Sequence, residues 1–238
     1  MKNNIQSLAI ILLASMPFGN TGVVPPKELC PNCPKPLHCL NQGWDWAYYE
    51  NPIFNAGEGY PTFSADAYKT REPLYSDVTP SIGGQVGAGA GTSPVYGSST
   101  ELNATYFALN HHAYLYACES GRWQFDITFV DDVVFAWVGD TAYSGWTDEN
   151  ADAKAVWTFQ GTNHFGSASF VQELDGGRFY PLRFVFADGQ AGGRFELTIT
   201  SPSGIIVHQS GRDSDWIVRF LCDLATSAPR FPEFGKET

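Results

Sequence analysis

The chain has 238 residues, of which 43% are hydrophobic and 15% aromatic, and these proportions are typical of a globular protein with a sizeable core. It carries 14 basic and 25 acidic residues, so its formal net charge is -11 at pH 7. A charge of this sign repels nucleic acid and anionic membranes but suits cations and neutral ligands, which argues against nucleic acid as a partner.

Residues 1–20 are predicted to be a signal peptide. Lys2 precedes a short apolar stretch, Leu8–Met16, and small or polar residues follow it, an order typical of segments that are removed on secretion. The alternative is a buried N-terminal element. The stretch is too short to span a membrane, and no later apolar run reaches that length. We therefore expect a secreted, extracellular protein without a membrane span.

Residues 21–38 form a Pro- and Cys-rich segment, and the main domain is expected over residues 39–238. The odd number of cysteines leaves at least one thiol free or paired with another chain, and disulfides are expected in a secreted protein. A zinc site at "CPNC" is disfavoured because no second CxxC exists. A bond between Cys39 and Cys222 is the first expectation, because it would tie the first and last strands together. The cysteines are Cys30, Cys33, Cys39, Cys118 and Cys222.

Short alternating segments separated by Gly, Asn, Asp and Pro predict an all-β fold. In "GRWQFDITFV", Trp123, Phe125, Ile127 and Phe129 alternate with polar residues, which predicts a strand with one buried face. "VVFAWVG" is apolar on both faces and should lie between two layers. "RFYPLRFVFAD", "GRFELTITSPSG" and "DWIVRFLC" continue the pattern, and the Gly-rich residues 81–100 are expected to be a surface loop. An antiparallel β-sandwich with long surface loops is the economical architecture.

Two adjacent aspartates, Asp131 and Asp132, interrupt the apolar run "ITFVDDVVFAW". One interpretation is an exposed turn between two strands, since Asp is a common turn residue. The other is a hard-cation site on which both carboxylates converge. Calcium takes six to eight oxygen ligands, so a second loop must contribute. The segment "FVFADGQAGG" supplies a candidate loop, with Asp188 ahead of several glycines that can bend carbonyl oxygens toward an ion.

Several motifs resemble the fungal GLEYA-domain adhesins. "GWDWAYYENP" at residues 43–52 is similar to the signature that names this family. The stretch from "YFALNHHAYLYA" through "FVDDVVFAWVGDTAYSGW" and the stretch "YPLRFVFADGQAGGRFELTITSPSG" match it in order and spacing. The resemblance extends from about Cys39 to the C-terminus. It implies kinship with yeast flocculins and epithelial adhesins, and the β-sandwich of the protective-antigen-type lectin domain.

The resemblance also implies a calcium-dependent sugar site. In such relatives a cis peptide joins the two aspartates on one calcium ion, an Asn and backbone carbonyls of a second loop add ligands, and two vicinal sugar hydroxyls complete the shell. Here the pair falls on Asp131 and Asp132, the Asn position on Asp188, and the carbonyls on Gln190 and Gly192. Asp188 therefore replaces an Asn, and Gly192 replaces a Trp that flanks the sugar in some relatives.

Candidate sugar contacts lie near this loop and in "AYSGWTDEN". Gly189 follows Asp188 directly, and Trp146 and Tyr143 lie in a polar loop. If that loop rims the cation site, Trp146 or Tyr143 could stack on a sugar face; the alternative is a partly buried loop anchor. Trp123, Trp137 and Trp157 occur in apolar or alternating runs and are expected in the core. The sequon at Asn103 predicts glycosylation.

An enzyme is the weaker alternative. Carboxylates also serve glycoside hydrolases, but nothing in the sequence marks two of them as a catalytic pair, and His111 and His112 should point to opposite faces of one strand. The prediction is a non-enzymatic, calcium-dependent adhesin or lectin head for cell-surface or cell-wall glycans. The main rival is a structural cell-wall protein that kept the fold but not the sugar site. The further carboxylates considered are Asp148, Glu149, Glu173 and Asp175.

Overall fold

A computed structural model gives the architecture of the protein and describes residues 33–56, 58–87, 91–158, 164–190, 192–222 and 228–237. These residues belong to one of two units into which the chain divides, Pro31–Thr238. The other unit, Met1–Cys30, holds the predicted signal peptide and Cys30, which therefore lie outside the described residues.

The described residues are almost all in strands and loops. The strands are Trp44–Glu50 (β1), Tyr75–Thr79 (β2), Gly84–Val86 (β3), Thr92–Pro94 (β4), Glu101–Asn103 (β5), Phe107–Ala117 (β6), Gly121–Asp131 (β7), Val133–Val138 (β8), Ala153–Val156 (β9), Gly166–Leu174 (β10), Arg178–Asp188 (β11), Gly193–Thr200 (β12), Ile206–Gln209 (β13) and Ile217–Val218 (β14). One short helix, Asp140–Tyr143 (α1), and two 3-10 turns, Ala65–Tyr68 and Asp148–Asn150, interrupt them.

Two antiparallel sheets form the predicted β-sandwich. The larger sheet has the order β2-β1-β6-β11-β8-β9, and β14 adds to β6. The smaller sheet has the order β10-β7-β12-β13, and β3 adds to β12. Strands β7 and β8 follow each other in the chain but lie in different sheets, as do β11 and β12. Both connections cross from one layer to the other.

The main core lies between the two sheets, as the alternation in β7 predicted. Trp123, Phe125 and Ile127 are buried there, but the alternation then slips, and Val130 rather than Phe129 is buried. Glu196 pairs with Phe129 and Leu197 with Ile127, so β7 carries one extra residue, Thr128, and this bulge moves the later side chains to the other face. The expectation that Phe129 lies in the core is therefore wrong.

A second core covers the outer face of the larger sheet. Every residue of β8 is buried, and the strand serves both cores: Val134 and Ala136 face the sandwich interior, while Val133, Phe135 and Trp137 face outward. This confirms the prediction that "VVFAWVG" lies between two layers. The outward residues pack beneath the segment that follows β1, which contributes Tyr60, Phe63 and Tyr68.

Loops and termini complete the two cores. Ile82, Val86 and Val95 are buried, so the segment over 81–100 is not simply a surface loop as expected. Disulfides join Cys39 to Cys222 and Cys33 to Cys118. His111 faces the interior beside Tyr96, while His112 faces outward onto the C-terminal residues, as their alternation predicted. Within the described residues, no helix has the length and apolar character needed to cross a membrane.

Candidate functional site

Two crossover connections meet at one end of the sandwich. Strand β7 ends at Asp131, β8 begins at Val133, and β11 ends at Asp188. Because Ala187 is paired with Val133 across the antiparallel ladder, the next position on each strand brings Asp188 beside Asp132. Asp131 is paired with Arg194 at the start of β12. The three predicted aspartates are therefore brought together where both chains leave one sheet for the other.

Asp132 is held by hydrogen bonds on both carboxylate oxygens. Its side chain is buried, with 2% exposure, although it lies between two strands. The Asn55 side-chain amide donates to Oδ1 at 2.7 Å, and the Gly189 N–H donates to Oδ2 at 2.6 Å. The peptide bond between Asp131 and Asp132 is cis. An exposed turn, the alternative interpretation of the pair, is therefore wrong for Asp132.

Asp188 is the most unusual acid of the site. It is fully buried, at 0% exposure, and its Oδ1 accepts a hydrogen bond from the Gln190 N–H at 3.0 Å. Its Oδ2 is buried and has no partner that meets hydrogen-bond geometry among the described residues, although the Gly192 N–H also interacts with this carboxylate. Burial, followed by the negative charge of Asp132, raises the pKa of Asp188 to about 9. The same two causes raise the pKa of Asp131 to about 6. The three carboxylates thus repel one another in a poorly solvated place.

A third segment, Asn51–Tyr60, which we call the β1 loop, closes over the aspartates. The Asn51 side-chain amide donates to the Asp188 carbonyl at 3.1 Å and to the Tyr60 hydroxyl at 2.8 Å. That hydroxyl in turn donates to the Ile53 carbonyl. At Gly189 a Cβ atom would lie 2.5 Å from the Tyr60 hydroxyl oxygen and 2.7 Å from the Asn55 nitrogen. Only glycine permits this approach between the two loops.

The β1 loop was not predicted to belong to the site. Its polar residues lie more than seventy positions before the aspartate pair, as the separation of 77 between Asn55 and Asp132 shows. A weak signal was present, because Asn51 and Asn55 directly follow the first strand, and amide donors are what buried carboxylates need. Gly189 was expected to contact a sugar. It is buried, and its N–H is used by Asp132, which corrects that expectation.

A cation fits the polar atoms of this site. Two buried acceptors, Asp188 Oδ2 and Asn55 Oδ1, have no partner that meets hydrogen-bond geometry among the described residues, although buried polar atoms are rarely left without a partner. Three carboxylates and one amide form the oxygen-rich donor set that calcium prefers. The described residues contain no group of three or more His, Cys, Asp or Glu side chains arranged to hold a metal ion. Amide or carbonyl oxygens would therefore have to share the coordination.

Trp146 and Tyr143 lie at the opposite end of the molecule, which corrects the expectation that they rim the site. They follow β8, whose six residues span about 20 Å, whereas Asp132 precedes it. Trp146 has 0% exposure and packs on Trp137 and on the guanidinium of Arg183. Its neighbours in the sequence are polar and suggested exposure, but its aromatic side chain fills the outer core.

Trp157 is closer to the site than its apolar surroundings predicted. The backbone N–H of Trp157 donates to the Asp132 carbonyl at 2.6 Å, and the half-buried Trp157 ring stacks on His164. Trp157 therefore lies beside the site and not in either core, which corrects one of the three tryptophan expectations. Trp123 and Trp137 are fully buried, as predicted.

The other carboxylates considered for hydrolysis do not join this site. Asp148 lies beyond the far end of β8, and its Oδ1 accepts hydrogen bonds from the backbone of Ala65 and Asp66. Glu173 is paired with Arg122, so it lies at the opposite end of β7 from Asp131. Asp175 follows it in the next turn. None of these residues is near enough to Asp132 to act as its catalytic partner.

Part of the chain that carries these residues is similar to a known protein family. Residues 107–201 match the family described as the GLEYA domain, and this range includes Asp131, Asp132 and Asp188. This part of the chain is similar to the GLEYA domain. The β1 loop lies before the matched range, so Asn55 is not part of what the match covers.

Two proteins of Schizosaccharomyces pombe strain 972, both named as putative cell agglutination proteins, resemble part of this chain in sequence. The first, pfl4, is 41% identical over 81 residues, which are 33% of this chain and 13% of the relative. The second, pfl8, is 37% identical over 83 residues, which are 34% of this chain and 21% of the relative. The chain therefore matches only a small part of these longer proteins, and neither is named as an enzyme.

Solved structures of Candida glabrata adhesins share the fold of the domain. The epithelial adhesin 6 A domain, in complex with Galb1-3GlcNAc, gives a TM-score of 0.56 at 19% identity and covers 77% of this chain and 89% of its own. The epithelial adhesin 9 A domain, in complex with the same disaccharide, gives 0.55 at 15% identity and covers 73% and 88%. At such identities the comparison establishes the β-sandwich fold.

Proposed function

We propose that this protein is a calcium-dependent carbohydrate-binding head that mediates adhesion to glycans of a cell surface or cell wall. The observation that carries the proposal is the convergence of three buried or half-buried carboxylates at one sheet end, with Asp188 Oδ2 left without a partner that meets hydrogen-bond geometry among the described residues. Such a cluster is costly without a counter-charge, since each buried charge needs a partner. A divalent cation supplies that partner.

Side chains and backbone carbonyls would share the coordination of the ion. Asp131, Asp132 and Asp188 would provide carboxylate oxygens, and Gln190 and Gly192 would add backbone carbonyls from the second loop. When bound, calcium offers coordination positions that two vicinal sugar hydroxyls can occupy. The hydrogen bonds from Asn55 and Gly189 fix the Asp132 carboxylate in place before the ion arrives, so less order has to be created on binding.

The surroundings of the ion would determine which sugar binds. Gly192 leaves the second loop without a side chain at the place where some relatives carry Trp. Phe54 is the exposed aromatic residue beside this loop, with 50% exposure, and its flanking atoms, the Ile53 oxygen and Asn55 nitrogen, pack on Gly189. We infer that Phe54, rather than Trp146 or Tyr143, offers an aromatic face to the sugar.

The setting of the proposed activity is the cell exterior. The predicted signal peptide, the two disulfides and the sequon at Asn103, which is exposed at the end of β5, are consistent with secretion. Few contacts support each bound sugar, so the affinity of a single head should be weak. Useful adhesion would come from many heads that engage one surface, because linked binding events increase the overall avidity.

A glycan array read in calcium and again in excess EGTA tests the proposal. We expect calcium-dependent binding, with galactose-terminated glycans as the first class to examine, because the A domains of similar fold were solved with such disaccharides. Asp132→Asn should abolish the signal, whereas Asp126→Asn, a control in β7 whose half-buried carboxylate accepts hydrogen bonds from Gln124 and Ser169 away from the site, should retain it. Binding that survives EGTA would contradict the calcium role. Absence of any glycan binding would favour the rival, a structural wall protein with the same fold.

A further inference from the structure

The side chain of Asn55 is buried, and only its amide nitrogen has a hydrogen-bond partner among the described residues. Its Nδ2 donates to Asp132 Oδ1 at 2.7 Å, and its exposure is 0%. Its Oδ1 is buried and accepts no hydrogen bond from any residue that the structure describes. An amide oxygen that is left without a partner in the interior destabilises the fold, because it has lost its hydrogen bonds to water.

The orientation of the Asn55 amide follows from its neighbour. The two ends of an Asn amide are chemically distinct, since the nitrogen only donates and the oxygen only accepts. A carboxylate oxygen accepts, so the end that faces Asp132 must be the nitrogen. Rotating the amide by half a turn would set two acceptors against each other without giving Oδ1 a donor. The bond to Asp132 therefore forces Oδ1 to remain an unsatisfied acceptor.

The backbone around Asn55 leaves the side chain little freedom to escape. Tyr60 donates to the Ile53 carbonyl, and Asn51 bonds both Tyr60 and the Asp188 carbonyl. Gly189 packs directly against the backbone nitrogen of Asn55. The β1 loop is thus fastened to the second loop near Asn55, and the hydrogen bond to Asp132 keeps the Asn55 amide beside that carboxylate.

We propose that Asn55 is a cation ligand of this site, and that its amide oxygen supplies the neutral donor missing from position 188. This inference rests on the proposed function and extends it to a loop that lies outside the matched family range. A neutral oxygen donor suits a site that already holds three carboxylates. Asp188 adds a third negative charge, and a fourth carboxylate would increase the repulsion, whereas an amide oxygen adds a donor without a charge. The amide nitrogen of Asn55 orients Asp132 through its hydrogen bond. One side chain would therefore both bind the ion and position a second ligand.

Terbium(III), which binds calcium sites and luminesces, is the probe for the test. Titration of the chelator-treated chain gives the affinity, and luminescence lifetimes in H2O and D2O give the number of water molecules on the ion. We expect Asn55→Ala to weaken binding by about tenfold or more and to add one bound water. Asn55→Asp, which keeps an oxygen in this place, should retain the wild-type water number. The exposed Asn103→Ala is the control and should match the wild type.

The outcomes separate this inference from the proposed function. If Asn55→Ala binds more weakly but keeps the wild-type water number, Asn55 only positions Asp132, and its assignment as a ligand is overturned. Unchanged affinity and water number also overturn it, while leaving the proposed function intact. If the wild type binds neither terbium nor calcium, the proposed function itself is contradicted. Circular dichroism of Asn55→Ala in EGTA excludes unfolding as the cause of weaker binding, and Asn55→Asp gives an independent reading.

Discussion

The Asn55 amide lies 2.7 Å from the Asp132 carboxylate although 77 positions separate the two residues in the chain. This contact joins the segment after the first strand to the crossover between the two sheets. With Asp188 at the end of β11, the site is assembled from three segments that are distant in sequence. Its integrity therefore depends on the sandwich.

Asp188→Asn should make the domain more stable in the absence of calcium and weaken its affinity for the ion. The substitution preserves the shape of a fully buried side chain but removes one of three mutually repelling carboxylates. Thermal unfolding in EGTA and in calcium measures both effects. We expect a higher midpoint in EGTA and a smaller increase on adding calcium than in the wild type. A lower midpoint in EGTA would contradict the repulsion.

Phe54→Ala should weaken sugar binding several-fold without changing calcium affinity. Its exposed ring lies on the β1 loop beside Gly189, and loss of one stacking face removes about 0.5–1.5 kcal/mol. Tyr143→Ala is the matched control, since Tyr143 packs on Phe231 at the far end of β8. Surface plasmon resonance with an immobilised glycan measures both variants. Equal losses for the two variants would refute the assignment of Phe54.

Glu237→Gln should destabilise the fold by about 3 kcal/mol, because it breaks a buried ion pair on one side only. The Glu237 carboxylate lies 2.9 Å from the guanidinium of Arg183, and both side chains are fully buried. The pair fastens the C-terminal residues onto the outer core. Denaturant unfolding measures the change. Glu233→Gln, which breaks an exposed pair with Lys236, should have an effect near zero, and a similar loss in both variants would contradict the account.

His208→Leu should reduce the acid sensitivity of the fold. His208 is buried beside Trp44, neither ring nitrogen has a hydrogen-bond partner among the described residues, and burial lowers its pKa to about 3. The unfolded chain binds this proton near pH 6.5, so the stabilisation is complete above that pH and is lost as the pH falls from 6.5 towards 3. The free energy of unfolding, measured from pH 7 to 4, should fall less steeply in His208→Leu. Equal slopes would contradict the prediction.

Much of the fold could be predicted from the sequence because its signals are local. Period-two alternation in β7 and two-sided apolar character in β8 directly reflect what each strand buries. The slip between Phe129 and Val130 could not be predicted, because a bulge depends on the partner strand. The aspartates were found because a charge pair within an apolar run is a local anomaly.

The parts of the site that escaped prediction depend on tertiary contacts. Asn55 carries no mark in its own neighbourhood, and only the packing of Gly189 against the β1 loop brings it to Asp132. The prediction for Trp146 was wrong because its sequence neighbours did carry a signal, and it was misleading. They are polar and suggested exposure, whereas the ring fills the outer core. The Cys33–Cys118 bond also could not be derived, because five cysteines allow many pairings.

Calorimetric titration of calcium, and then of a galactose-terminated disaccharide, into the chelator-treated chain tests the central claim most directly. The account predicts one calcium ion per chain, sugar binding only after calcium is present, and loss of both in Asp132→Asn. Sugar binding of equal strength in EGTA, or calcium binding that Asp132→Asn leaves unchanged, would contradict it.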